Sequence, residues 1–211
     1  MPTLLHIDSS PLGAEASISR HLTNEFVQSW KQTHPDGKVI TRDLNTTNLA
    51  VLDAAWIGAS YTSEDARTPE QRALLTLSDT LINELLEADE FVIAAPMHNF
   101  GVPSVLKLWI DQICRAGKTF SYVDGTPIGK LPGKKATFII PTGGNYSEGS
   151  KLAALNFVEP YLRTVFGFIG VTDTHFLTAS SVAMIAFGAI DRPGFLQPHV
   201  ESIRARFQSA V

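Results

Sequence analysis

The sequence predicts an α/β fold in which a doubly wound, five-stranded parallel sheet carries helices on both faces. Short apolar runs alternate along the chain with longer segments of helical periodicity. Strands separated by helices of this length form a parallel sheet through right-handed crossovers. The chain has 211 residues, of which 44% are hydrophobic, and this is enough to bury the core of one such domain.

Five short runs are the strand candidates. The run at 91–95 is nearly all apolar, as expected for a strand that is buried on both faces of a parallel sheet. The run at 38–43 is more polar, which is typical of a strand nearer the edge. The candidates are residues 3–7, 38–43, 91–95, 136–140 and 171–177.

Five segments between and after these runs have the period of an amphipathic helix. In residues 68–88, leucines and an isoleucine recur at steps of three and four residues, and acidic residues take the opposite side. Thr68 and Pro69 open this segment as a cap followed by proline in the first helical position. The predicted helices are residues 17–33, 68–88, 103–116, 150–167 and 194–209.

Two long segments, residues 44–67 and 117–135, interrupt the alternation of strands and helices and are predicted to be irregular insertions. Loops of this length in a compact domain are usually functional or mobile. Each contains aromatic residues, among them Trp56 and Phe120, so the segments can be interpreted as walls of a pocket. The two segments can equally be interpreted as surface loops or as contacts between subunits.

Composition excludes several classes of protein. The formal net charge is −4 and there is no basic stripe, so nucleic acid is not predicted as a partner. No apolar stretch reaches the length of a transmembrane helix and no signal peptide is recognisable, so no membrane partner is predicted. The single cysteine, Cys114, allows no intrachain disulfide, which favours a cytoplasmic location, and we expect a packed, unreactive thiol. No metal site is predicted.

Four serines surround the junction between the first strand and the first helix. Ser9 and Ser10 follow the strand, and Ser17 and Ser19 begin the helix. The unpaired N–H groups and partial positive charge of a helix N-terminus attract an anion, and hydroxyls add donors there. Because the stretch has no G-x-G-x-x-G pattern, it predicts a site for the phosphate of a mononucleotide rather than of a dinucleotide.

Two further loops follow the third and fourth predicted strands. The loop at 96–103 (PMHNFGVP) combines apolar, aromatic and polar side chains, which suits a flat aromatic ring that has polar groups at its rim. The loop at 141–146 (PTGGNY) contains paired glycines, which allow close approach of the backbone to a ligand. Ligands of open α/β sheets bind where such loops meet, beyond the carboxyl ends of the strands.

Together these motifs resemble the FMN-dependent NADH-azoreductases, also described as NADH:quinone oxidoreductases, which have a flavodoxin-like fold. The resemblance covers essentially the whole chain. It lies in residues 7–11 (IDSSP), 17–19 (SIS), 96–100 (PMHNF), 106–111 (LKLWID), 117–120 (GKTF) and 143–144 (GG).

The resemblance implies a single flavodoxin-like FMN-binding domain over residues 1–211, with the insertions at about 44–67 and 117–135. By position, the FMN phosphate would be held by Ser10, Ser17 and Ser19 with the amide of Ile18, and Ser9 is a weaker candidate. The isoalloxazine would be lined by Pro96, Met97, His98, Asn99 and Phe100, and its pyrimidine side covered by Thr142, Gly143 and Gly144. The family acts as a homodimer, so Phe120 and Trp56 would reach into the substrate pocket of the partner.

The function implied is reduction of quinones and azo compounds by NADH or NADPH in a ping-pong, two-electron hydride transfer through flavin N5. No side-chain acid or base is required, and His98 is the one candidate proton donor nearby. The family commonly has tyrosine at the position of His98, and serine-arginine at the positions of Pro141 and Thr142.

Two other functions compete with this one. A flavodoxin-like electron carrier or a flavin-binding regulatory module would need only FMN, whereas the aromatic insertions favour a pocket for a second molecule. A serine hydrolase would use Asp8, Ser9 and Ser10 with Asp173 and His175, but the last two lie within a predicted strand.

Overall fold

Five parallel strands form the central sheet of the computed structural model, which describes residues 1–208. The sheet strands are β1 (Thr3–Asp8), β2 (Lys38–Asp43), β3 (Glu90–Ala94), β6 (Lys135–Pro141) and β7 (Asp173–Ala179). Their spatial order is β2-β1-β3-β6-β7, and every neighbouring pair is parallel. This is one of the two common doubly wound orders, and the strand order reverses between β1 and β3.

Helices cover both faces of the sheet, as predicted. One face packs against α1 (Ile18–Thr33) and α7 (Arg192–Gln208), and the other against α3 (Pro69–Glu87), α4 (Ser104–Ile113) and α5 (Val158–Phe168). Each layer has its own buried apolar cluster, and the nearly uniform burial of β1, β3 and β6 matches their apolar sequences. Within residues 1–208, no helix combines the length and the hydrophobicity needed to cross a bilayer.

The strands and four of the five predicted helices are confirmed to within a few residues; position 209 of the last helix lies outside the described residues. The helix predicted at 150–167 begins only at Val158, after turns and a short 3-10 helix at Ala153–Leu155. The Asn156 side chain accepts the N–H groups of Val158 and Glu159. Pro160 is therefore in the first turn of α5, where its missing N–H costs nothing, whereas a longer helix would place it in the interior.

Both insertions contain regular structure that was not predicted. Residues 44–67 include α2 (Ala54–Tyr61) and a 3-10 helix at Glu64–Ala66. Residues 117–135 include an antiparallel hairpin of β4 (Phe120–Val123) and β5 (Thr126–Gly129). Its turn residues Asp124 and Gly125 have φ of 51° and 76°, and Asp-Gly is a common sequence signal for such a tight hairpin turn.

Glu90, at the start of β3, is a half-buried carboxyl whose Oε2 accepts the Trp30 Nε1–H at 3.0 Å. Burial raises its pKa above the ordinary value of 4.5, although Trp30 and nearby cations oppose the change. Because the pKa is higher in the folded than in the unfolded state, ionised Glu90 lowers the free energy of unfolding at neutral pH. This penalty vanishes as pH falls below the unfolded pKa.

Glu90→Gln is therefore expected to raise the free energy of unfolding at neutral pH, because the amide keeps an acceptor for Trp30 and carries no charge. The gain should shrink on acidification and disappear below about pH 4. Urea unfolding of both proteins at neutral pH and below about pH 4 measures the gain, with Glu148→Gln at an exposed position as the control. A gain of the same size at both pH values would contradict this account.

Candidate functional site

A cavity of about 480 Å³ lies beyond the carboxyl ends of β1, β3 and β6, at the point where the strand order reverses. Cavities of this size are typical of small-molecule sites. Nine of the twelve residues predicted to bind the cofactor line it: Ser10, Ser17, Ile18, Ser19, Pro96, Met97, His98, Thr142 and Gly143. The sheet topology thus brings the three predicted loops together.

Ser10, Ser17, Ile18 and Ser19 form one end of the cavity, which we call the serine cradle. All four are buried, and the Ser17 and Ser19 hydroxyls are 3.1 Å apart. Ser17 caps α1 by accepting the N–H of Arg20 at 3.2 Å, and this leaves the N–H groups of Ile18 and Ser19 without an acceptor among residues 1–208. The first turn of α1 carries no acidic residue. Free donors at the positive end of a helix whose first turn is not acidic fit a phosphate.

Ser9 has a different role. It is fully buried, does not line the cavity, and its hydroxyl donates to the Ala94 carbonyl at 2.6 Å. Its side chain therefore connects the end of β1 to the end of β3, the two strands between which the strand order reverses. Because the Ser9 hydroxyl proton is already used in this bond, the structure disfavours Ser9 as a hydroxyl donor to a phosphate.

Arg20 fixes the backbone of the serine cradle from outside the cavity. Its Nη2 and Nε donate to the Ser10 carbonyl at 2.8 and 3.2 Å, and Asn45 Nδ2 donates to the same oxygen at 2.8 Å. The guanidinium also pairs with Asp8 and Asp43. Burial alone would raise the pKa of Asp43, but the Asn45 N–H and the Arg20 guanidinium outweigh it and hold that pKa below its ordinary value. The arginine therefore stays paired near neutral pH.

The second loop contains a strained turn. Asn99 and Phe100 have φ of 48° and 71°, and two backbone hydrogen bonds of 2.9 and 3.0 Å between His98 and Gly101 close the turn. Phenylalanine in the left-handed region costs about 1–2 kcal/mol, and such strain is concentrated at functional sites. Pro96, Met97 and His98 line the cavity, whereas Asn99 and Phe100 stand at the turn, where the Phe100 side chain is exposed.

The third loop is held by a segment that follows β7. Backbone N–H groups of Ser181, Val182 and Ala183 donate to the carbonyls of Gly144, Thr142 and Gly143, respectively, at 2.9–3.2 Å. These bonds bring the short helix α6 (Ala183–Ala186) against the site. Cavity-lining residues that sequence reasoning missed here are Val182, Ala183 and Ala186. No motif in this apolar stretch marks it, because only its pairing with the third loop places it there.

Five predicted residues do not line the cavity: Asn99, Phe100, Gly144, Phe120 and Trp56. Gly144 instead accepts the Thr142 hydroxyl at 2.8 Å and so shapes the loop. Phe120 packs on Phe168, with ring centroids 4.5 Å apart. Trp56 is only 6% exposed and packs with Ala59 and Leu75. The Trp56 ring is thus largely buried in its own chain, and a contact between Trp56 and a partner's pocket stays a prediction.

The residues required for serine hydrolysis are not brought together. His175 and Asp173 lie on β7, at the sheet edge, whereas Ser9 and Ser10 follow β1, and two strands lie between. Three strand spacings amount to about 14 Å, far beyond a hydrogen bond. Cys114 offers no alternative nucleophile, because burial and the nearby Asp111 carboxylate raise the pKa of its thiol to about 11.

Comparison of the sequence with known families agrees with this geometry. A protein family whose description is 'Flavodoxin-like fold' matches residues 2–206 of this chain. An FMN-dependent NADH:quinone oxidoreductase of Acidobacterium capsulatum is 51% identical over 204 residues, which cover 97% of this chain and 98% of the relative. The FMN-dependent NADH:quinone oxidoreductase 3 of Burkholderia lata is 48% identical with the same coverage.

Solved structures show the same architecture. An azoreductase from Bacillus anthracis superposes with a TM-score of 0.88 at 27% identity, covering 99% of this chain and 100% of the other. A second B. anthracis structure, of an FMN-dependent NADH-azoreductase in complex with FMN, has a TM-score of 0.87 at 23% identity and covers 100% of this chain and 99% of the other. The predicted flavodoxin-like fold is therefore confirmed.

Proposed function

Because the chain belongs to the flavodoxin-like family of the FMN-dependent NADH:quinone oxidoreductases, we propose that it uses FMN to transfer electrons from NADH or NADPH to quinones and azo compounds. The observation that carries the proposal is the cavity at the strand-order reversal, with a serine cradle suited to a phosphate at one end. The whole chain would form the single FMN-binding domain. FMN, when bound, supplies two-electron hydride chemistry, so the protein has to bind, orient and shield it.

Each wall of the cavity has a role in binding FMN. Ser10, Ser17 and Ser19 would donate hydroxyl hydrogen bonds to the phosphate, and the free amide of Ile18 would add another. Apolar side chains such as Met97 would pack against the flat ring. Thr142 and Gly143 would line its far side, with Pro96 and His98 also in contact. Asn99, Phe100 and Gly144 would act by shaping the two loops.

The proposed reaction has two stages. A reduced nicotinamide and the acceptor would occupy the same open side in turn, which gives ping-pong kinetics. His98 is exposed and lines the cavity, so its imidazole is the group placed to donate a proton to the reduced acceptor. No other side chain is assigned an acid or base role.

A homodimer and a cytoplasmic location are part of the proposal. Large apolar side chains are exposed beside the site, among them Phe100 and Phe157, and an apolar groove of about 500 Å³ runs past Phe157 and Tyr161. A second copy of the chain would cover them, and Phe120 would then reach the partner's cavity. The cytoplasm suits a chain whose one cysteine forms no intrachain disulfide.

Absorption spectroscopy of the purified full chain, loaded with FMN, tests the proposal. We expect flavin bands that NADH or NADPH bleaches and that a quinone or an azo dye restores, with parallel initial-velocity lines. If neither NADH nor NADPH bleached the bound flavin, the result would favour the function of an electron carrier or of a flavin-binding regulatory module. A chain that binds no FMN and consumes no NADH would contradict the proposed function altogether.

A further inference from the structure

Arg192, the first residue of α7, reaches the start of α1 across 175 residues of sequence. Its Nη1 donates to the Ala16 carbonyl at 2.9 Å and its Nη2 to the Ser17 carbonyl at 3.3 Å. Ala16 and Ser17 both line the cavity at the serine cradle. The Arg192 guanidinium, on α7, therefore holds the backbone at the start of α1, and α7 packs beside α1.

The charge of Arg192 is not neutralised by an ion pair. Within the described residues 1–208 no carboxylate lies within salt-bridge distance of it, whereas Arg20 pairs with Asp8 and Asp43. The adjacent Asp191 is engaged with the Gly194 N–H at 2.8 Å, where it caps α7. Arg192 thus leaves a full positive charge, half-buried, next to the positive end of α1.

The two arginines near the serine cradle bind carbonyl oxygens. Arg20 holds the Ser10 oxygen, and Arg192 holds those of Ala16 and Ser17. A carbonyl oxygen that turned toward a bound phosphate would repel it, while N–H and hydroxyl donors attract it. Engaging the oxygens outside the cavity leaves the donors of the serine cradle toward the ligand. The Ser17 oxygen also accepts the His21 N–H at 3.2 Å, so Arg192 adds to the first hydrogen bond of α1 there, whereas the Ala16 oxygen is held by Arg192.

We propose that Arg192 is a positioning residue that makes the site selective for a flavin carrying a phosphate monoester over an uncharged flavin. It does so by clamping the backbone of the serine cradle and by placing an unpaired positive charge beside it. This inference rests on the proposed function, since it takes FMN as the ligand. It assigns the discrimination to a residue on α7, outside the three loops.

Titration of the flavin-free full chain with FMN and with riboflavin tests the inference, with quenching of flavin fluorescence as the readout. Arg192→Gln should weaken FMN binding about tenfold and riboflavin binding less than about twofold. Arg192→Lys keeps the charge and should recover part of the FMN affinity. Because a charge interaction is screened, added KCl should weaken FMN binding less in Arg192→Gln than in the unaltered chain.

Arg204→Gln is the matched control, because it makes the same chemical change on the same helix at an exposed arginine that pairs with Glu25. It should leave the ratio of the two affinities unchanged. Equal losses for FMN and riboflavin in Arg192→Gln, or no loss for either, would overturn the inference and leave the proposed function standing. An unaltered chain that binds neither flavin would contradict the proposed function, and the inference with it.

Discussion

Ser17→Asp is expected to weaken FMN binding at least about 100-fold, because it places a carboxylate in the serine cradle where the phosphate would bind. Two like charges about 4 Å apart near a protein surface repel by several kcal/mol. Ser17 is buried and its hydroxyl lies 3.1 Å from that of Ser19, so the new charge has little access to screening water. Aspartate caps helices as well as serine does, so α1 should remain intact.

Ser17→Asn separates charge from size in this experiment. Asparagine has nearly the shape of aspartate, is a good helix cap and carries no charge. Fluorescence titration of the flavin-free chains should show a modest loss of FMN affinity for asparagine and a far larger one for aspartate. Riboflavin affinity should differ little between the two variants. If both variants bound FMN equally well, the phosphate would have to lie elsewhere in the protein.

Gly129→Ala is expected to lower the free energy of unfolding by about 3 kcal/mol or more. Gly129 ends β5, and a Cβ there would lie 2.1 Å from the Gly170 nitrogen and 2.3 Å from the Ile169 carbonyl carbon. Both are backbone atoms of the turn between α5 and β7, and Gly170 has a φ of 102°, so neither side can move cheaply. The methyl group would force the hairpin away from the sheet.

Gly167→Ala provides a control in which the same substitution is expected to raise the free energy of unfolding. Gly167 lies in α5, three residues from the contact, and a Cβ there meets no atom within 4 Å. Alanine in a helix should raise the free energy of unfolding by about 0.5–1 kcal/mol. Urea unfolding of the two variants and the unaltered chain measures both effects. A Gly129→Ala protein as stable as the unaltered one would show that the hairpin does not dock on this turn.

The elements that could be predicted from the sequence are those whose signal is local. The run at 91–95 is apolar throughout and α3 has a capped, periodic sequence, so each was located to within about two residues. The predicted start of α5 is too early because the helical pattern continues before Val158, whereas the Asn156 side chain, which accepts two N–H groups of the first turn, and Pro160 decide the boundary. The hairpin differs from the predicted irregular insertion because the Asp-Gly pair at 124–125 forms a tight turn between two short strands.

Hydrophobic period, caps and strand-end composition are properties of neighbouring residues, so the fold class and the three loops could be predicted from the sequence. The rest of the site depends on contacts between distant segments: Ser9 connects two strands, Trp56 is buried, and the segment after β7 forms a wall. Arg192 shows the reason most clearly. Its role depends on α7 packing beside α1, a contact between residues 175 positions apart that no local pattern specifies.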